Sequence, residues 1–170
     1  VCTIMGNFEY YPLVEKYNVP IVVTGFEPLD VLQGILMVVR QLEKSNAEVE
    51  NQYARIVREE GNINAQNIIF EVFEVTDRLW RGMEIIPMSG YSVKEKYAIY
   101  DATKKFNITI TEVKENEACI AGEIMKGIKK PFECPEFGQK CKPTNPLGAP
   151  MVSTEGACAA YYHYSGLVES

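Results

Sequence analysis

A chain of 170 residues fits one medium domain or a core domain with a small appendage, and its 46% hydrophobic content can bury a core without disulfides. The net charge of -6 and a pI near 5.0 argue against a nucleic-acid binder, which would carry a basic patch. No apolar run approaches the roughly 18 residues of a membrane span; the nearest, Val31 to Val39, is broken by Gln33 and Gly34, and the first residues lack a signal-peptide pattern, so the expectation is a cytoplasmic protein.

The chain opens Val1-Cys2-Thr3-Ile4-Met5-Gly6, without an initiator methionine, and reads as a fragment of a longer protein or as a processed chain. Cys2 to Met5 and Pro20 to Thr24 are short apolar, β-branched runs closed by Gly6 and Gly25, the pattern of buried strands. Between them Leu13, Val14 and Tyr17 fall at helical spacing over Tyr10 to Tyr17. Strand, helix, strand in so short a span predicts a βαβ unit and a parallel sheet.

The clearest helix follows. Pro28 suits a first helical position, and Leu29, Leu32, Leu36, Val39 and Leu42 repeat at three and four residues. Val31, Ile35 and Val38 widen the stripe, which predicts a helix buried over most of its surface and ending near Ser45-Asn46. Further on the patterns predict a strand over Glu48 to Val57, a helix over Asn62 to Val75, a short strand over Met83 to Pro87, an exposed helix over Lys94 to Phe106 and an edge strand over Ile108 to Val113.

Beyond about Lys114 the texture changes. Pro131, Pro135, Pro143, Pro146 and Pro150 preclude a regular sheet or a long helix. Short helices are expected on either side, over Glu117 to Lys126 and Glu155 to Tyr164. The expected organisation is an α/β domain over 1–113, a Rossmann-like parallel sheet with flanking helices, and a small loop-rich, helix-flanked domain over 114–170.

That second segment holds Cys119, Cys134, Cys141 and Cys158 in the spacing C-x14-C-x6-C-x16-C. Three readings stand. The thiols are buried structural residues; they form two disulfides, against which a reducing cytosol argues; or they bind a metal centre, since four thiolates complete either a zinc site or an iron–sulfur cluster. The spacings are too long for zinc knuckles and suit a cluster held by separate loops. Cys134-Pro135 matches the cysteine–proline step of some cluster loops. Lys126, Lys129, Lys130, Lys140 and Lys142 would offset the charge of a thiolate-bound cluster, although surface lysines are commonly just solvated. Spacing favours a [4Fe–4S] cluster over zinc and leaves both open.

Elsewhere the turn Thr24-Gly25-Phe26-Glu27-Pro28-Leu29-Asp30 joins a strand to a helix, where open α/β sheets form their ligand crevice. Glu27 and Asp30 either face such a site or complement the positive end of the helix dipole. The turn lacks G-x-G-x-x-G and G-K-[ST], so nucleotide binding has no support. His163, the one histidine, falls late in the last predicted helix, where packing or a dipole role outweighs catalysis. Cys2 is expected in the core, and Trp80-Arg81-Gly82 in structural packing.

Long stretches of the chain also resemble a known family. Cys119-Ile-Ala-Gly-Glu, Lys130-Pro131-Phe-Glu-Cys134-Pro135-Glu-Phe-Gly138, Cys141-Lys-Pro143 and Met151-Val-Ser-Thr-Glu155-Gly156-Ala-Cys158-Ala-Ala-Tyr161-Tyr162 resemble the C-terminal part of HypD, the maturation family for the iron cofactor of [NiFe]-hydrogenases. The turn Thr24 to Asp30 and Trp80-Arg81-Gly82 match as well. The resemblance implies two α/β domains plus a small domain in which Cys119, Cys134, Cys141 and Cys158 hold a [4Fe–4S] cluster. It implies a scaffold with a redox role in assembly of the Fe(CN)2CO group, working with a HypC-type chaperone that shares the iron and a HypE-type cyanide donor. Glu27 and Asp30 would lie near the cleft between domains. The family's iron-binding cysteine–histidine motif and C-x-x-C pair would lie N-terminal to these residues. Two positions depart from the pattern: Ala121 and Pro150 stand where the family often has further cysteines. The alternative function is a zinc- or disulfide-stabilised α/β interaction module with no redox role.

Overall fold

The computed structural model describes residues 1–108 and 116–166. The chain is mixed α/β and divides into two compact units, Val1–Val72 and Phe73–Ser170.

In the first unit, α1 (Cys2–Met5) and α2 (Tyr11–Tyr17) precede β1 (Ile21–Val23), α3 (Pro28–Glu43), β2 (Val49–Asn51) and α4 (Ile63–Val72). The strand expected over Cys2 to Met5 is a single helical turn. No described strand lies beside it, so its backbone closes locally: Gly6 N–H donates to the Cys2 carbonyl at 2.8 Å. The Ile4 carbonyl accepts from Asn62 N–H, at the entry to α4, at 2.9 Å. Strand propensity depends on a neighbouring strand, and here it loses to helix closure.

The βαβ unit exists one element later, as β1–α3–β2. The strands are parallel with Ile21 opposite Val49 and Val23 opposite Asn51. Each has only three residues, and the expected strand to Val57 stops at Asn51 because the chain turns: Val57 N–H donates to the Tyr53 carbonyl and the Asn51 side chain to the Val57 carbonyl. Among the described residues the parallel sheet consists of these two strands.

Glu27, in extended conformation, leads into α3, and Pro28 occupies its first turn. The helix does not bury the surface its apolar stripe predicts. Its buried residues are Asp30, Gly34 and Gln41. They repeat every three to four residues in register with Met37, so the polar and small face meets the sheet. Gln41 donates to Glu50 at 2.5 Å and accepts from Glu48 N–H at 2.7 Å. Gly34 is needed for the approach, since a Cβ there would come within 2.1 Å of Thr24 Cγ2. Leu29 and Leu32 are 65% and 64% exposed, and Ile35, Leu36, Val39 and Leu42 are exposed beside them.

The second unit opens with a hairpin that the sequence patterns obscured, β3 (Phe73–Trp80) and β4 (Glu84–Val93), antiparallel with Phe73 opposite Val93 and an irregularity between Thr76 and Arg78. The helix expected to reach Val75 ends at Val72, and the strand expected to stop at Pro87 runs on to Val93. Trp80 Nε1 donates to Ser89 Oγ at 2.7 Å, which ties the two strands near the turn. The expected helix over Lys94 to Phe106 is split into a 3-10 turn (Glu95–Tyr100) and α5 (Ala102–Lys105), because Asp101 caps α5 through Thr103 N–H at 2.9 Å. The edge strand expected after Ile108 lies outside the described residues.

The remaining elements are α6 (Ala121–Met125), a 3-10 turn (Pro131–Glu133), α7 (Ala149–Val152) and α8 (Ala157–Tyr164). Both flanking helices expected from the sequence exist in shortened form. Ile124, Cys141, Met151, Cys158 and Ala159 form the buried core, with Phe137, Leu147 and Tyr162 packed on it. The hairpin turn is fitted to α6: a Cβ on Gly122 would lie 2.0 Å from the Gly82 carbonyl oxygen. Of Trp80-Arg81-Gly82, expected in structural packing, Gly82 packs in this way, while Trp80 is 46% exposed and Arg81 is exposed as well. Among the described residues no helix is long and apolar enough to cross a membrane.

Candidate metal centre

Four separate segments bring the thiols together. Cys119 ends a turn in which its N–H donates to the Asn116 carbonyl at 2.9 Å, just ahead of α6. Cys134 closes the 3-10 turn begun by Pro131, its N–H donating to the Pro131 carbonyl at 3.1 Å. Cys141 is held by its N–H to the Glu136 carbonyl at 2.9 Å and its carbonyl to Gly138 N–H at 3.1 Å. Cys158 is the second residue of α8. Pro131 and Pro150 stand in the first turns of their short helices, and the thiols converge from loops and helix starts.

Cys119, Cys134, Cys141 and Cys158 line one small cavity of about 10 Å³ together with Ile124, Phe137 and Met151. Ala121 and Pro150 line it too. No lining side chain carries nitrogen or oxygen. Cys141 and Cys158 are buried, while Cys119 and Cys134 are half-buried. Cys134 Sγ donates to the Ala118 carbonyl at 3.8 Å, and Leu147 N–H donates to Cys141 Sγ at 3.5 Å. Burial, followed by the neighbouring Cys141, Cys119 and Cys134, pushes the Cys158 thiol up to about 11. The cause is desolvation: a thiolate in apolar surroundings is disfavoured unless a cation compensates it.

None of the five cysteines forms a disulfide. Among the described residues no three His, Cys, Asp or Glu side chains are placed to hold a single metal ion. Two of the lysines expected to offset cluster charge are in ion pairs, Lys129 with Glu123 at 3.1 Å and Lys140 with Glu136 at 3.8 Å. Cys2 belongs to the first unit, with Sγ 3.4 Å from Tyr10 Oη. His163 is exposed in the last turn of α8, between Tyr162 and Tyr164.

Glu27 and Asp30 are also brought together, by a residue that sequence reasoning missed. Arg55 reaches both Asp30 oxygens, Nη1 to Oδ1 at 2.9 Å and Nη2 to Oδ2 at 2.6 Å, and Glu27 Oε2 at 3.3 Å. Gln52 donates to Asp30 Oδ1 at 2.8 Å, and the Arg55 guanidinium stacks 4.4 Å from the Tyr53 ring centre. The Arg55 fork, then Gln52, holds the Asp30 carboxyl below its ordinary range. Asp30, itself buried, is thereby committed to the half-exposed Arg55, and Glu27 is the acid left facing solvent. The available signal was the polar run Glu50-Asn51-Gln52-Tyr53-Ala54-Arg55 at the end of β2, beside the end of β1.

Residues 1–165 match the family model described as "HypD: Hydrogenase formation hypA family". The chain belongs to the HypD family. Its relatives include hydrogenase maturation factor HypD1 of Bradyrhizobium diazoefficiens, 48% identical over 165 residues, which are 96% of this chain and 43% of that protein. The hydrogenase expression/formation protein HupD of Azotobacter chroococcum is 46% identical, over 96% of this chain and 44% of its own length. Hydrogenase maturation factor HypD of Cupriavidus necator is 44% identical over the same shares. This HypD-family chain spans less than half the length of these relatives.

Proposed function

We propose that this chain is the cluster-bearing part of a hydrogenase maturation factor, in which Cys119, Cys134, Cys141 and Cys158 hold a [4Fe–4S] cluster. The observation that carries this is the convergence of four thiols, from four separate segments, on one cavity free of side-chain nitrogen and oxygen. The donor set fits: four thiolates complete a cubane's ligand set, and an apolar wall keeps water from the sulfurs. A void of about 10 Å³ takes one water, so its lining loops must spread to admit a cluster.

The cluster supplies one-electron exchange at a potential set by its surroundings. The chain's own groups set those surroundings. Leu147 N–H donates to Cys141 Sγ, and hydrogen bonds to the sulfurs are among the groups that tune a cluster's potential. Cys119 and Cys134, less buried, form the side nearer solvent.

In this reading residues 114–170 are the cluster domain. Residues 1–113 are α/β, with β1–α3–β2 as part of a Rossmann-like parallel sheet that the full-length protein completes. The whole protein acts in the cytoplasm as scaffold and redox component for Fe(CN)2CO assembly, with a HypC-type chaperone and a HypE-type cyanide donor. Glu27, facing solvent beside the Arg55 network, lies toward the working cleft. Anaerobic reconstitution of single serine variants tests the assignment. Cys134→Ser and Cys158→Ser are expected to lose the cluster absorbance, and Cys2→Ser to keep it. Retention by both cavity variants, or equal loss in Cys2→Ser, would sink it.

A further inference from the structure

The loop after Cys141 runs Lys142-Pro143-Thr144-Asn145-Pro146-Leu147 and returns to the thiol it left. Leu147 N–H donates to Cys141 Sγ at 3.5 Å. Pro143 and Pro146 have no N–H, so Leu147 is the first residue beyond Asn145 that can donate at all. Among the described residues no helix or strand spans 142–147, so the aim of that N–H depends on how the loop is tied. Cys141 is fixed separately, through the Glu136 carbonyl and Gly138 N–H. On the far side Leu147 packs against the core that holds Met151 and Cys158.

Asn145 supplies the tie on the near side. Its N–H donates to the Lys142 carbonyl at 2.9 Å, and its own carbonyl accepts from Lys142 N–H at 3.3 Å, which closes a tight turn. Its side-chain Nδ2 crosses to the Lys140 carbonyl at 2.8 Å. One exposed residue thus grips the chain immediately before and immediately after Cys141, and Pro146 then leads stiffly into Leu147. Alanine could keep the two backbone bonds of the turn and not the one to Lys140. We propose that Asn145 is a positioning residue, which holds the Leu147 N–H on the Cys141 sulfur and thereby raises the reduction potential of the cluster assigned to the four thiols. This rests on the cluster reading given above. The sign follows from charge: the reduced state is the more negative one, and a donor at a thiolate stabilises the more negative state more.

Two measurements on the same chain test this. Hydrogen exchange at the Leu147 amide, followed before reconstitution, reads the tie itself; a dithionite redox titration after anaerobic reconstitution reads the potential. Asn145→Ala is expected to keep the native circular dichroism and iron content, and to exchange the Leu147 amide about five-fold faster. Its reduction equilibrium constant is expected to fall by about three-fold to ten-fold, ten-fold being about 59 mV for one electron. Asn145→Gln keeps an amide donor and should lie closer to the native potential than Asn145→Ala. Thr144→Ala, at an exposed position in the same turn, should leave the potential unchanged. An unchanged potential in Asn145→Ala with the cluster intact would overturn the proposal and leave the cluster reading standing. An equal shift in Thr144→Ala would also overturn it, by making the effect one of general loop disturbance. So would loss of the cluster from Asn145→Ala, which would make the residue necessary for building the site. A native chain that takes up neither iron nor sulfide would overturn the cluster reading and this proposal together.

Discussion

Gly148 lies against the thiol of Cys119: a Cβ on Gly148 would come within 2.4 Å of Cys119 Sγ and 3.1 Å of Ala121 Cβ. Its backbone is ordinary extended chain, φ -129 and ψ 157, so any residue could adopt it and only space demands glycine. Gly148→Ala therefore tests the cavity wall without backbone strain. The expected outcome is a loss of about 1–3 kcal/mol by urea denaturation, together with a lower iron content after reconstitution, since Cys119 must move.

Gly122 and Gly82 make a second contact of the same kind, backbone to backbone. A Cβ on Gly122 would overlap the Gly82 carbonyl at 2.0 Å, and neither partner is a flexible side chain. Gly122→Ala is expected to cost about 1–3 kcal/mol. Because the clash separates the hairpin turn from α6, loss should appear in hydrogen exchange at Trp80 to Met83 as well as in α6.

Among the described residues Met151 is the largest fully buried side chain, 1% exposed, in the core that also contains Cys141 and Cys158. Met151→Ala should destabilise the protein by about 2–5 kcal/mol. Met151→Leu keeps most of the volume and should cost less than about 1.5 kcal/mol. Equal losses in the two variants, measured by urea titration, would contradict the packing described.

The Asp30–Arg55 pair gives a pH dependence with a definite sign. Arg55 and Gln52 lower the Asp30 carboxyl below its ordinary 3.8. A lowered folded-state value contributes stability that is fully present above the ordinary value and is lost as pH falls through the lowered one. Thermal midpoints of the native chain should fall more steeply with acidification below about pH 4 than those of Asp30→Asn. Parallel curves for the two proteins would contradict the network. Arg55→Lys should not restore the native behaviour, because lysine lacks the two-pronged fork.

How far the sequence could be read follows from where each feature's cause lies. Helix α3 was legible because its period is local, and the convergence of thiols was legible because prolines and cysteines share one segment. Which face of α3 turns inward was not, since Asp30 is held by Arg55 and Gln52, more than twenty residues away. Cys2 to Met5 carries strand-like residues, yet a strand needs a neighbour and none of the described ones is adjacent. The hairpin was hidden for a different reason. Phe73 to Val75 continue the helical spacing of α4, and Pro87 and Gly90 inside β4 read as terminators.

The central claim is that Cys119, Cys134, Cys141 and Cys158 hold a [4Fe–4S] cluster, and iron and acid-labile sulfide analysis of the anaerobically prepared chain tests it most directly. The expected result is a brown protein with about four iron and four sulfide per chain. A colourless protein holding one zinc per chain, with no labile sulfide, would contradict the account.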